Sequence, residues 1–227
     1  MRIRIRFNKM MHQVSFQKPQ QNRSQKTLER ILLSSTQLIA KKSYDEVSIA
    51  ELASHAQISV GGFYARFANK EALFNTLLAK LAEETQNGVQ SALAKDWSTS
   101  SLHELLRHIV SSNAELYERY RGILTVVFLK SRLLERETLN NQTADRAQYN
   151  ANLIVQLEQL IMHKSEEIVR NDRPAAIRTA IACMTAMLRE AIVFQDTSFY
   201  AQPVNNSVIA EQISNLMYHH LAARITQ

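Results

Sequence analysis

Three observations predict an all-α fold of about nine helices. Gly (4) and Pro (3) are scarce in 227 residues, and the many turns of an all-β fold draw on both. Hydrophobic residues make up 45% of the chain, enough for a packed core. Apolar side chains recur at three- and four-residue spacing along most of its length, the period of amphipathic helices.

The elements follow in order. Residues 1–22 hold basic residues, no acidic residue and no helical period, and read as a basic flexible tail, with an arm reaching into a DNA minor groove as the functional alternative. From Thr27, the residues Leu28, Ile31, Leu32, Ser35, Leu38 and Ile39 form one helical stripe ending at Lys41-Lys42, where cations suit a helix C-terminus. Ser48 and Glu51 form an S-x-x-E capping box for a short second helix ending near Ala56. Ser59 can cap a third short helix, Val60 to Phe67. Asn69 can cap a fourth, Lys70 to between Val89 and Lys95, with Leu73, Leu77 and Leu81 inward.

Further helices are expected at about Leu102–Tyr120, Ile123–Leu134, Ala144–Val169, from Pro174 through Ile192, and Ser207–Arg224. Gly122 is expected to break the pattern between the first two. Residues 135–143 and 196–206 read as loops. The single cysteine, Cys183, sits in the run Ala180-Ile-Ala-Cys-Met and is expected to be a buried small hydrophobe.

Charge is uneven. Residues 1–80 carry 13 Lys and Arg against 5 Asp and Glu, and residues 81–227 carry 14 against 16. A basic first third beside a nearly neutral remainder suits a polyanionic partner. One cysteine makes no disulfide framework, no apolar run reaches membrane-spanning length, and the N-terminus lacks an apolar export segment. A cytoplasmic protein is expected.

The second and third helices, joined by Ser54-His55-Ala56-Gln57-Ile58-Ser59, form a helix-turn-helix candidate. Gly61 and Gly62 fall inside the third helix, where glycine costs roughly 1 kcal/mol relative to alanine. Two glycines there suggest close approach to another surface, either DNA or a neighbouring helix.

The ungapped stretch Ile31–Phe74 carries Lys-Lys-x-Tyr, Val-Ser-Ile-x-Glu-Leu-Ala, Ile-Ser-x-Gly-x-Phe-Tyr and Phe67-x-Asn-Lys-Glu-Ala-Leu-Phe. In these motifs it resembles the N-terminal domain of TetR-family transcriptional regulators. The resemblance implies a three-helix, homeodomain-like helix-turn-helix DNA-binding domain at 23–74 and a helical ligand-binding and dimerisation domain at 75–227. It implies a homodimer on double-stranded operator DNA, released by a small, hydrophobic effector, with no cofactor, no metal and no membrane. By the same resemblance, Ser48, Ser59 and Lys70 contact phosphate and Tyr64 packs on the sugar–phosphate backbone. Val60, Gly61 and Gly62 form the base-facing start of the third helix, and Arg66 stands where the family often has His and can hold phosphate.

The sequence departs from that pattern at three places. Gln57 stands where the turn commonly has Gly. Val60 replaces a frequent Lys or Arg, and Ala65 a frequent polar residue. Few long polar side chains remain for base edges, so direct readout falls to backbone approach, thymine-methyl contact and flanking residues.

Tyr117, Phe128, Met162, Met184, Met187 and Phe194 are candidates to line an effector pocket, and plain core is their alternative reading. Ile181, Leu188, Ile192, Ile213, Leu216 and Leu221 are candidates for the dimer interface, unless they bury their stripes within one subunit. A regulator or activator without an effector is the second reading. A helical-bundle enzyme is the third and is disfavoured. No Glu has His three residues later, as di-iron bundles need, and no P-loop or dinucleotide glycine fingerprint occurs.

Overall fold

The computed structural model describes residues 22–133, 141–195 and 205–223. The expected tail lies outside these residues except for its last position, as do residues 135–140 and 196–204 of the two expected loops, while residues 141–143, expected as loop, are helical. Among the described residues there are nine α-helices and no strand. They are α1 Asn22–Lys41, α2 Ile49–His55, α3 Val60–Tyr64, α4 Lys70–Ala94, α5 Leu102–Arg119, α6 Arg121–Leu133, α7 Asn141–Met162, α8 Arg173–Leu188 and α9 Asn206–Ala222. A 3-10 turn, Ser165–Glu167, follows α7, and a π-helical turn, Arg189–Val193, continues α8.

The helices fall into two compact units. The first comprises Met1–Glu83 with Arg119–Leu133, and the second Glu84–Glu118 with Leu134–Gln227. The first unit is thus larger than the expected 23–74 domain, taking in more of α4 and all of α6.

In the first unit, Ile31, Leu52, Phe63, Phe67, Leu73, Leu77 and Ile123 are almost wholly buried. The α1 stripe is mostly inward as expected, and its buried hydroxyls are satisfied locally. Ser35 Oγ donates to the Ile31 carbonyl at 2.6 Å and Thr36 Oγ1 to the Leu32 carbonyl at 2.8 Å. The third helix is shorter than Val60–Phe67. It ends at Tyr64, because two glycines give it little intrinsic helicity and the chain then turns inward to bury Phe67 beside Phe63, ring centroids 5.4 Å apart.

Gly122 does not break a helix. It is the second residue of α6, and a Cβ built on it would lie 2.2 Å from the Ile39 carbonyl oxygen and 2.6 Å from its carbon. The glycine therefore lets the α6 backbone lie against α1. The break expected there falls instead at Tyr120.

The second unit holds a core of residues from α4, α5, α7, α8 and α9, including Leu105, Leu106, Leu160, Ile161, Ile181, Met184 and Ile213. Here α7 ends at Met162, earlier than Val169. The chain turns so that Glu167 accepts the Leu102 N–H at 2.9 Å, capping α5, while Ile168 enters the core. Asp172 caps α8 by accepting from Ala175 N at 3.1 Å. Cys183 is exposed, a correction to the expected burial. Ala180, Ile181 and Met184 occupy the inward face of α8, and Ala182 and Cys183 fall on the outward one. No described helix is long and apolar enough to cross a membrane.

Gly122→Ala should lower stability by about 3 kcal/mol or more, since the clash is with backbone and cannot be relieved by a rotamer change. Urea denaturation checks this. A loss under about 1 kcal/mol would show that the α1–α6 approach is not tight.

Candidate nucleic-acid interface

A seven-residue and a five-residue helix are too short to be stable alone, so caps and burial must hold α2 and α3. Ser48 Oγ accepts from Glu51 N at 3.2 Å, and Glu51 Oε2 accepts from Ser48 N at 2.9 Å, completing the expected capping box. Glu51 also pairs with Lys42 at 2.7 Å. These hydrogen bonds, the one from Lys42 first, lower its carboxyl pKa to about 2. Ser59 Oγ accepts from Gly62 N at 3.0 Å and caps α3. A hydroxyl oxygen that accepts in this way still has a hydrogen to donate.

The connection between α2 and α3 turns at Gln57, the one non-glycine residue of positive φ (53°) among the described residues. This is the left-handed position where glycine was noted as missing, and a Cβ there carries about 1–2 kcal/mol of strain. Gln57 N donates to the Ser54 carbonyl and Ile58 N to the Ala53 carbonyl, which satisfies the helix end.

On α3, Phe63 is the inward anchor, with no exposed surface. Val60 is 43% exposed and Tyr64 53% exposed, and Gly61 is exposed. A Cβ added at Gly61 would meet nothing nearer than Ser59 Oγ at 3.9 Å, and neither α3 glycine has positive φ. Helix–helix packing therefore does not explain Gly61. At Gly62 the nearest atom is again Ser59 Oγ, at 3.3 Å.

The two cations assigned to phosphate are turned to internal work. Lys70 Nζ donates to the carbonyls of Tyr44 at 2.6 Å, Val47 at 2.9 Å and Asp45 at 3.3 Å, and lies 4.4 Å from the centre of the Tyr44 ring. Three donors meet three acceptors, so Lys70 ties α4 to the segment just before Ser48. Burial, with Glu71 and Asp45 adding, pushes the Tyr44 hydroxyl up to about 12. Arg66 Nη1 donates to the Gly62 carbonyl at 3.0 Å, and its Nε is buried with no hydrogen-bond partner. It holds the C-terminal end of α3. Neither inward role was legible in the sequence. For Lys70 the signal was Tyr44 in the Lys-Lys-x-Tyr motif, to which no role had been given.

The remaining candidates lie in or beside packed core, with few exceptions. Met184 is fully buried, and Tyr117, Met162 and Met187 pack partly buried against the same core. Phe194 is half-buried after the π turn, and Phe128 belongs to the first unit. The six do not gather in either unit. Burial pushes the Tyr117 hydroxyl pKa up, against the pull of Arg189. Of the interface candidates, Ile181, Leu188, Ile192, Ile213 and Leu221 are buried in the chain's own core, and Leu216 alone is exposed, at 55%. The apolar stripes of α8 and α9 pack within the chain, the alternative that the sequence left open. Among the described residues no group of His, Cys, Asp and Glu could hold a metal ion.

Comparison with known proteins bears on this geometry. Residues 31–77 match the family model described as bacterial regulatory proteins, tetR family. The match begins and ends within the first unit and contains the whole α2–α3 pair. That segment of the chain is thus similar to the TetR family of regulators. An uncharacterized HTH-type transcriptional regulator of Bacillus subtilis, YerO, is 25% identical over 111 residues, which are 49% of this chain and 38% of that protein. The chain thus matches well under half the length of that relative. Among solved TetR-family structures, PfmR of Thermus thermophilus is similar with a TM-score of 0.56 at 19% identity, over 84% of this chain and 97% of that one. NalD of Pseudomonas aeruginosa, the secondary repressor of the MexAB-OprM multidrug efflux pump, has a TM-score of 0.53 at 21% identity, over 89% and 99%.

Because the folded Glu51 carboxyl titrates near 2, below the ordinary value of 4.5, its stabilising effect is present above pH 4.5 and is lost as pH falls toward 2. The stability difference between wild type and Glu51→Gln, followed by thermal melts, should therefore be largest above pH 5 and close by about pH 2. A difference independent of pH would contradict the assignment.

Proposed function

We propose that the chain is a homodimeric, DNA-binding transcriptional regulator that seats α3 in the major groove of duplex operator DNA. The observation that carries this is Gly61. It is exposed, has an ordinary helical backbone and would accept a Cβ without a clash, the nearest atom being Ser59 Oγ at 3.9 Å, so its cost to a five-residue helix is offset by something outside the chain. Close approach of backbone to a groove is the reading that uses it. Val60 and Tyr64 flank it on the exposed side, and Ser59 can donate to phosphate. Ser48, Arg66 and Lys70 set the position of these groups, and Gly62 gives Ser59 the amide it caps.

In a dimer, two α3 helices enter successive major grooves of a palindromic site, about one helical turn apart. Occupied, the site blocks a promoter, and a hydrophobic effector that binds the DNA-free arrangement more tightly releases it. A second reading, a regulator or activator without an effector, is favoured by one observation: Met184 and its neighbours are packed as plain core. The proposed dimer face is the outward side of α8 and α9, where Ala182, Cys183, Val208 and Leu216 are exposed.

Gly61→Leu separates folding from binding. The leucine Cβ meets no clash, so stability should rise by up to about 1 kcal/mol, while affinity for duplex DNA at low salt falls at least tenfold in a mobility-shift assay. Unchanged affinity would remove the case for close approach. Leu216→Glu should convert dimers to folded monomers in sedimentation, and a monomeric wild type would refute the dimer.

A further inference from the structure

The exposed side of α3 carries Val60, Gly61, Tyr64 and Ala65. Val60 and Tyr64 are four residues apart and so share a face. No residue of α3 bears an amide, guanidinium or carboxylate. The nearest guanidinium in sequence, Arg66, is bonded to the Gly62 carbonyl; of the amides that flank α3, Gln57 stands exposed in the turn before it and Asn69 caps α4 by accepting from Ala72 N at 2.8 Å. The pairings that read guanine or adenine bidentately, Arg or Lys with guanine and Asn or Gln with adenine, have no side chain on this helix.

A valine standing 43% exposed on such a face matches one feature of the major groove, the 5-methyl group of thymine, which is the apolar mark on a base edge. We propose that Val60 is a specificity-determining residue that reads a thymine 5-methyl group. The inference rests on the DNA-binding reading above and deepens it. Valine is short, so contact within about 4 Å brings the helix backbone close to the groove, and the missing side chain at Gly61 gives that room. Valine is also stiff at χ1, so fixing it against a methyl group loses little entropy.

The test uses full-length protein. Duplexes enriched from a random-sequence pool supply the site, and each of its thymines is replaced in turn by uracil, which pairs alike but lacks the 5-methyl group. One thymine in each half-site should show a loss of about fourfold for the wild type, the value of one buried methyl. Val60→Ala should bind the parent site more weakly and lose that sensitivity to uracil. Val60→Thr, which exchanges one methyl for a hydroxyl, should fall between. An exposed position makes both variants foldable. If uracil is neutral at every position, or if Val60→Ala keeps the full uracil loss, the assignment is wrong although DNA binding stands. If no duplex is enriched over the starting pool, the DNA-binding reading fails and takes this inference with it.

Discussion

The burial of Phe63 is the constraint on which the rest of the site depends. A helix of five residues with two glycines has no stability of its own. It exists because the ring of Phe63 is sealed in the first unit, 5.4 Å from Phe67, and because Ser59 and Arg66 satisfy its two ends. With Phe63 inward, Gly61 falls on the opposite side of the helix, and Val60 and Tyr64 stand 43% and 53% exposed beside it. The proposed DNA-facing surface is thus the reverse side of a core contact.

Polar groups set this helix in place rather than adding charge to its surface. Lys70 ties α4 to the carbonyls before Ser48, Glu51 closes the capping box, and Lys42 is paired with Glu51. Several cations that a charge count assigns to phosphate are therefore bonded within the protein. Of the 13 basic residues in 1–80, six fall at Arg2, Arg4, Arg6, Lys9, Lys18 and Arg23, with no acidic residue among positions 1–23. The distribution of charge along the chain thus says less about the α3 surface than its total suggests.

Much of the fold was legible because local rules are strong here. The Ser48–Glu51 box, the Ser59 and Asn69 caps and the apolar period of α1 each specify an element from a few neighbouring residues. Long-range contacts were not legible. Gly122 looks like a helix breaker in sequence, and only the Ile39 carbonyl beside it shows a packing glycine. The stripes of α8 and α9 have the same period whether they face a partner or their own core, and Ile181, Leu188 and Ile213 face the core. Cys183 is one helical step from Met184, and that turn of about 100° decides between surface and interior. At the site, the inward roles of Lys70 and Arg66 were not legible, because they depend on acceptors 4 to 26 residues away in sequence.

The four glycines allow a direct measurement, since their amide resonances are few and assignable. Titrating the folded protein with random-sequence duplex DNA at low ionic strength should shift or broaden the Gly61 and Gly62 amides, leaving Gly88 and Gly122 near their starting positions. Resonances of Gly61 and Gly62 that stay fixed while the protein remains folded would contradict the account.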